Sequence, residues 1–167
     1  MSNTVIDTIL RRRSVRSYSD RPVDDEAVEL LLRAAMAAPS SKNRQPWEFV
    51  VVRERETLDA LAGRLRFAKM LHQAPMAIAV CAKSDDNPCW AQDASAAAEN
   101  LLLAAESLGL GAVWTAAYDE ERRSAVVEIL EIPEGYSPLC VIPVGYPAGD
   151  EKPKDKWKPE KVHYGKW

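Results

Sequence analysis

Residues 31–52, LLRAAMAAPSSKNRQPWEFVVV, change their apolar period within twenty-two positions. Upstream, Val28, Leu31, Leu32, Ala35 and Met36 recur at three- and four-residue spacing behind the acids of DDEA. That spacing predicts one helix face, with carboxylates suited to its first turn and Pro39 as its stop. From Glu48 the run EFVVVR is rich in β-branched residues, which predicts a strand. Helix, polar turn and strand therefore follow one another, with Pro39–Trp47 as a turn dense in hydroxyls and carboxamides.

Outward from this unit the alternation continues. Thr57–Gln73 reads as helical with a break at Gly63, and MAIAVCAK from Met76 as a strand. Trp90–Leu108 is rich in Ala and Leu and ended by Gly109, which predicts a long helix. Its apolar residues run around most of the circumference, so it needs cover on nearly every side, from its own core or from a second subunit. Ala112–Tyr118 reads as a strand, Asp119–Leu130 as a helix and Pro138–Pro147 as a final strand. Toward the N-terminus, Val5, Ile6, Ile9 and Leu10 keep helical spacing after Asn3-Thr4, whose side chains suit an N-cap. The chain from 148 to 167 has no period. These elements predict a single domain, residues 1–167, of α/β or α+β class.

The composition, 47% hydrophobic and 28% charged over 167 residues, is that of a globular domain. No apolar run reaches the roughly 18 residues of a membrane span, and MSNTVIDTIL lacks the pattern of a secretory leader, so the expected location is the cytoplasm. Cys81, Cys89 and Cys140 have no paired spacing for a disulfide frame or a zinc site and are expected to be small buried apolar residues. His72 and His163 stand far apart, which disfavours a metal centre or a histidine triad. Gly109-Leu110-Gly111 follows a helix and lacks a third glycine, so it reads as a helix stop and turn instead of a dinucleotide fingerprint.

Charge is the other signal. The net charge is −3, which argues against a nucleic-acid surface, yet of 22 Lys and Arg residues four lie within 11–16 and six between Lys152 and Lys166. Two basic clusters at opposite ends of the chain suggest one shared anion. Arginine's planar fork matches phosphate oxygens, and Ser14 adds a neutral donor beside Arg12, Arg13 and Arg16.

Taken in order, RRSVRSY, LLRAAMAAPSSKNRQPWEFVVV, APMAIAV, QDASAAAENLLLAAESLGLGAVW and KWKPEKVHYGKW resemble the nitroreductase family of flavin-dependent oxidoreductases over nearly the whole chain. The resemblance implies an α+β fold, a three-layer α-β-α sandwich around a mixed or antiparallel sheet. It implies an intertwined homodimer with FMN at the interface, NADH or NADPH as reductant, and residues 147–167 as an arm packing on the dimer partner. Arg12, Arg13 and Ser14 then match contacts to the FMN phosphate and ribityl chain, and Arg16 a basic residue at the flavin's pyrimidine edge. Pro39, Ser40, Ser41, Asn43 and Gln45 match a segment that the second subunit lays along the flavin. Thr115, Ala116 and Ala117 match a turn near N5 and O4, and Lys156 and Lys158 match a basic pair on the phosphate. Lys154 is a substitute for one of that pair, and a contact from Lys69 stays open.

The resemblance further implies a ping-pong reaction: hydride passes from the nicotinamide to flavin N5 and then to a small electron-poor acceptor, a nitroaromatic or quinone. A shallow site with broad acceptor use is expected, because no long insertion lies between the central helix and the next strand. The alternative is an FMN carrier or redox-sensing module without turnover.

Overall fold

The computed structural model describes residues 4–85 and 87–167. Helix α1 spans Thr4–Arg11, α2 Asp25–Met36, α3 Arg55–Arg64, α4 Trp90–Ser107 and α5 Glu120–Leu130, with short 3₁₀ turns at Ser41–Asn43, Lys69–His72 and Pro159–Lys161. Strands are β1 (Trp47–Val52), β2 (Met76–Lys83), β3 (Gly111–Ala112), β4 (Thr115–Ala116) and β5 (Tyr136–Gly145). The sheet order is β1-β2-β5-β3, with β4 also on β5, and every ladder is antiparallel. Among the described residues the one parallel link is an isolated bridge from Ser14 to Ala112.

Alternation along β2 sorts the core into two layers. Met76, Ile78, Val80 and Ala82 face α2 and α4, whereas Ala77, Ala79 and Cys81 face α3 and α5. Helices thus cover both sides of the sheet, the three-layer α+β arrangement expected. A register shift at Val80/Cys81 leaves Leu139 of β5 without a β2 partner, and both Leu139 and Cys140 point into the α2–α4 layer.

Local chemistry explains most element ends. Asp24 caps α2 by accepting from Ala27 N at 2.7 Å, and Asp119 caps α5 through Arg122 N. Gly109, at φ 72°, follows α4 and lets the chain turn into β3. The N-cap expected at Asn3-Thr4 involves Asn3, which lies outside the described residues; Thr4 is the first residue of α1.

Three expectations change. Met36 is 51% exposed, so the buried face of α2 is Val28, Leu31 and Ala35 with Leu32 beside it. The helix expected over Thr57–Gln73 ends at Arg64 and resumes as the 3₁₀ turn at Lys69–His72, because Leu65 and Ala68 turn inward between them. The strand expected over Ala112–Tyr118 is two dipeptides on β5, interrupted at Val113-Trp114. The break lies opposite Ile142-Pro143, where proline has no N–H to donate. Cys81 and Cys140 are buried as expected, and Cys89 is half-buried before α4. Burial pushes the Cys81 thiol up to about 12, so it stays protonated and behaves as a small apolar group.

Candidate functional site: a basic cleft between the two ends of the chain

The run after α1 is pinned before it presents any charge. Val15 donates its N–H to Ala112 O at 3.0 Å and is fully buried, while the Tyr18 hydroxyl lies 2.7 Å from Val15 O. Burial pushes the Tyr18 hydroxyl well above its ordinary value, against a smaller opposing pull from Arg16, so it remains a donor. Gly111 is required beneath this run. A Cβ there would stand 2.6 Å from Val15 Cγ1, closer than carbon atoms approach.

The arginines themselves are braced by α4. Arg13 Nη1 donates to Glu106 Oε2 at 2.6 Å and its Nε to Glu151 O at 2.9 Å. Arg11 Nε lies 3.8 Å from Glu106 Oε1, and Arg12 Nε 3.5 Å from Glu99 Oε1. Glu99 and Glu106 are two helical turns apart and share one face of α4. Arg16 is exposed and has no ion pair among the described residues.

The C-terminal chain meets this run through a bridge from Tyr18 to Pro147 and a bond from Ala148 N to Ser17 O. A cleft of about 450 Å³ opens between them, walled by Arg12, Arg13, Ser14 and Arg16 on one side and Glu151, Lys152, Lys154 and Lys156 on the other. Six cations thus face one carboxylate. Glu151 Oε2 is buried there with no hydrogen-bond partner. Lys158 does not line the cleft; Lys154 stands beside Lys156 in its place. The residues fit a phosphorylated polyol: the cations supply donors to a phosphate, and the Ser14 hydroxyl can donate to or accept from a chain hydroxyl.

The other expected segments lie elsewhere. Ser41 N donates to Asp93 Oδ1 at 2.8 Å, Gln45 N to Ser40 Oγ at 2.9 Å, and Gln45 Nε2 to Asn43 Oδ1 at 3.0 Å. Lys42, Asn43 and Gln45 have φ of 53°, 53° and 48°, a left-handed path that is strained for residues with a Cβ. Pro39, Asn43 and Gln45 are exposed. Along α4, Asp93 is six residues from Glu99 and thirteen from Glu106, about 9 and 20 Å of helix rise, so the Pro39–Gln45 loop sits at the N-terminal end of α4 and the arginine run along its middle and C-terminal part. Thr115 is buried with its hydroxyl on Val141 O, Ala116 is half-buried, and the buried Ala117 gives its N–H to Leu139 O at 2.9 Å. Lys69 Nζ donates to Ala62 O at 2.7 Å.

Sequence reasoning missed Glu99, Glu106 and Glu151. The first two left a signal, a seven-residue spacing of acids on a helix that must pass the arginine run. Glu151 left none, since nothing in EKPKDK separates it from its neighbours. Among the described residues no group of His, Cys, Asp and Glu could hold a metal ion, and no helix is long and apolar enough to cross a membrane.

The model of the Nitroreductase family matches residues 9–66 and 62–146. A protein of Archaeoglobus fulgidus, provisionally named NADH dehydrogenase/NAD(P)H nitroreductase, is 48% identical over 168 residues, covering 95% of this chain and 96% of its own. The crystal structure of a Bacteroides thetaiotaomicron protein with the same provisional name superposes with a TM-score of 0.98 at 52% identity, covering 100% of both chains. An FMN-dependent nitroreductase of Clostridium difficile superposes with a TM-score of 0.91 at 36% identity, covering 97% of this chain and 99% of that one. With a family model across most of its length and relatives near half identity from end to end, this chain belongs to the nitroreductase family.

Proposed function

We propose that this protein is an FMN-dependent oxidoreductase that draws hydride from NADH or NADPH and acts as a homodimer. The observation that carries the reading is the cleft at Arg12–Arg16, where six cations and Ser14 line a space suited to a ribityl phosphate. Arg12, Arg13 and Ser14 hold the phosphate and chain, with Lys156 and Lys154 closing the other side; Lys158 stands farther along the same arm. Arg16, free of carboxylates, places a fixed cation at the pyrimidine edge and favours a negatively charged ring there. Bound in this site, FMN supplies hydride transfer at N5, accepting from a nicotinamide and giving to a small electron-poor acceptor in alternation.

A second copy completes the site: the Pro39–Gln45 loop, held at the N-terminal end of α4, lies along the partner's flavin. Apolar surface supports this. Val5, Ile6, Ile9 and Leu10 of α1 are 67%, 50%, 45% and 67% exposed. Beside them an apolar groove of about 450 Å³ runs between α1 and α4, past Ile9, Leu103 and Ala104. Residues 147–167 then form an arm over the dimer, with Trp157 next to Ile9 and Leu10.

The test is an anaerobic titration of FMN-loaded protein with NADH and NADPH, read at the visible flavin band. Bleaching far faster than for free FMN is expected. Reduction no faster than free flavin indicates a carrier, and a colourless protein that takes up no FMN overturns the reading.

A further inference from the structure

Phe67 is out of place on the turn after α3. Its neighbours Leu65 and Ala68 are buried, yet Phe67 is 63% exposed, with two guanidiniums near its ring. Arg66 Cζ lies 5.3 Å from the ring centroid and Arg122 Cζ 5.6 Å, both within cation–π range. The two cations differ in commitment. Arg122 Nε lies 2.9 Å from Asp119 Oδ2, whereas Arg66 is exposed and has no carboxylate partner among the described residues.

Position gives the cluster its meaning. The turn bearing Arg66 and Phe67 runs into the 3₁₀ segment Lys69–His72, where Met70 packs on Val15 and Tyr18, the residues flanking Arg16. Arg122 lies in the first turn of α5, which starts immediately after Thr115–Ala117 and the 60% exposed Tyr118. The cluster therefore links the turn that packs behind the Arg16 run with the helix that follows Thr115–Ala117.

We infer that Arg66, Phe67 and Arg122 form the subsite for the phosphate-bearing adenosine end of the nicotinamide nucleotide; this rests on the flavin reading above. An exposed phenyl ring offers a face to a purine, and an uncommitted guanidinium offers forked donors to a phosphate oxygen. A small neutral acceptor gains only the ring contact. A nucleotide gains both, so the cluster discriminates between the two substrates that share the site and gives the reductant an anchor away from the reacting ring. Two phosphates have this chemistry, the pyrophosphate common to both nucleotides and the 2′-phosphate of NADPH alone.

Stopped-flow reduction of the FMN-loaded protein by NADPH and by NADH tests this, comparing the parent with Arg66→Gln and Phe67→Leu. Arg66→Gln is expected to raise the nucleotide concentration for half-maximal reduction roughly tenfold, and Phe67→Leu by about threefold, with flavin content and reduction by dithionite as in the parent. A change confined to NADPH puts the 2′-phosphate on Arg66, and an equal change for both nucleotides puts the pyrophosphate there; either supports the subsite. Flavin-loaded Arg66→Gln and Phe67→Leu proteins with the parent's dependence on both nucleotides overturn it. A parent protein that takes up no FMN overturns the flavin reading beneath it, and the subsite with it.

Discussion

The two walls of the basic cleft carry the same charge and differ in how they are held. Arg12 and Arg13 are half-buried against Glu99 and Glu106, and the backbone between them and Tyr18 is tied to β3 and β5. Lys152, Lys154, Lys156 and Lys158 are all exposed, and among the described residues the only ion pair they make is Lys152 with Asp150 at 3.7 Å. The first wall is preorganised, so binding an anion orders little there. The second consists of exposed lysine side chains that lose rotamer freedom when they close on an anion, at up to about 2 kcal/mol each. Charge alone does not make a phosphate site; the bracing of the charge decides how much of its attraction survives.

Removing the loose wall is expected to have the largest effect. Deleting residues 151–167 takes away every cleft lysine and the Glu151 oxygen, and should lower FMN affinity by about a hundredfold or more. The flavin-to-protein ratio after gel filtration measures this. Stoichiometric flavin in the truncated protein would show that the braced wall suffices, and the comparison would fail.

A smaller effect comes from loosening the braced wall from beneath. Gly111→Ala sets a methyl group against Val15 and should cost about 1–3 kcal/mol of stability in urea unfolding, with weaker FMN binding because Ser14 and Arg16 flank the displaced residue. Adding Val15→Ala should restore part of both. Equal losses in the single and double variants would show that Val15 does not transmit the strain.

The smallest expected change is Glu106→Gln. It keeps the shape of the brace and removes its charge, leaving Arg13 a neutral acceptor in place of a charge-assisted one. FMN affinity should fall severalfold, measured by fluorescence quenching, while the stability of the apoprotein changes by about 1 kcal/mol or less. Tighter FMN binding would mean that Glu106 competes with the phosphate for Arg13 and does not brace it.

Much of the fold is legible in the sequence because its elements are local and strongly periodic. The start of α2 rests on Asp24, its end on the approach to Pro39, and the length of α4 on an Ala- and Leu-rich run closed by Gly109. The departures occur where a distant residue overrides the local pattern. Ala112–Tyr118 is rich enough for a continuous strand, yet Pro143, some thirty residues away, breaks the ladder beside it. Met36 fits the helical period and stays exposed, because among the described residues none covers that side of α2.

The site divides in the same way. The motifs themselves name arginines, hydroxyls and lysines as binding chemistry, since those residue types carry the needed donors whatever the fold. They do not show that Lys154 stands at the cleft while Lys158 is carried past it, because both lie in a tail without a period. The sequence by itself determined the elements, the two basic ends and the family, through short-range pattern and residue chemistry. Only the tertiary structure decided which charges meet, that α4 braces one wall and leaves the other loose, and that the Pro39–Gln45 loop is held at the N-terminal end of α4. Those are distances between residues far apart in the chain, set by packing across the sheet.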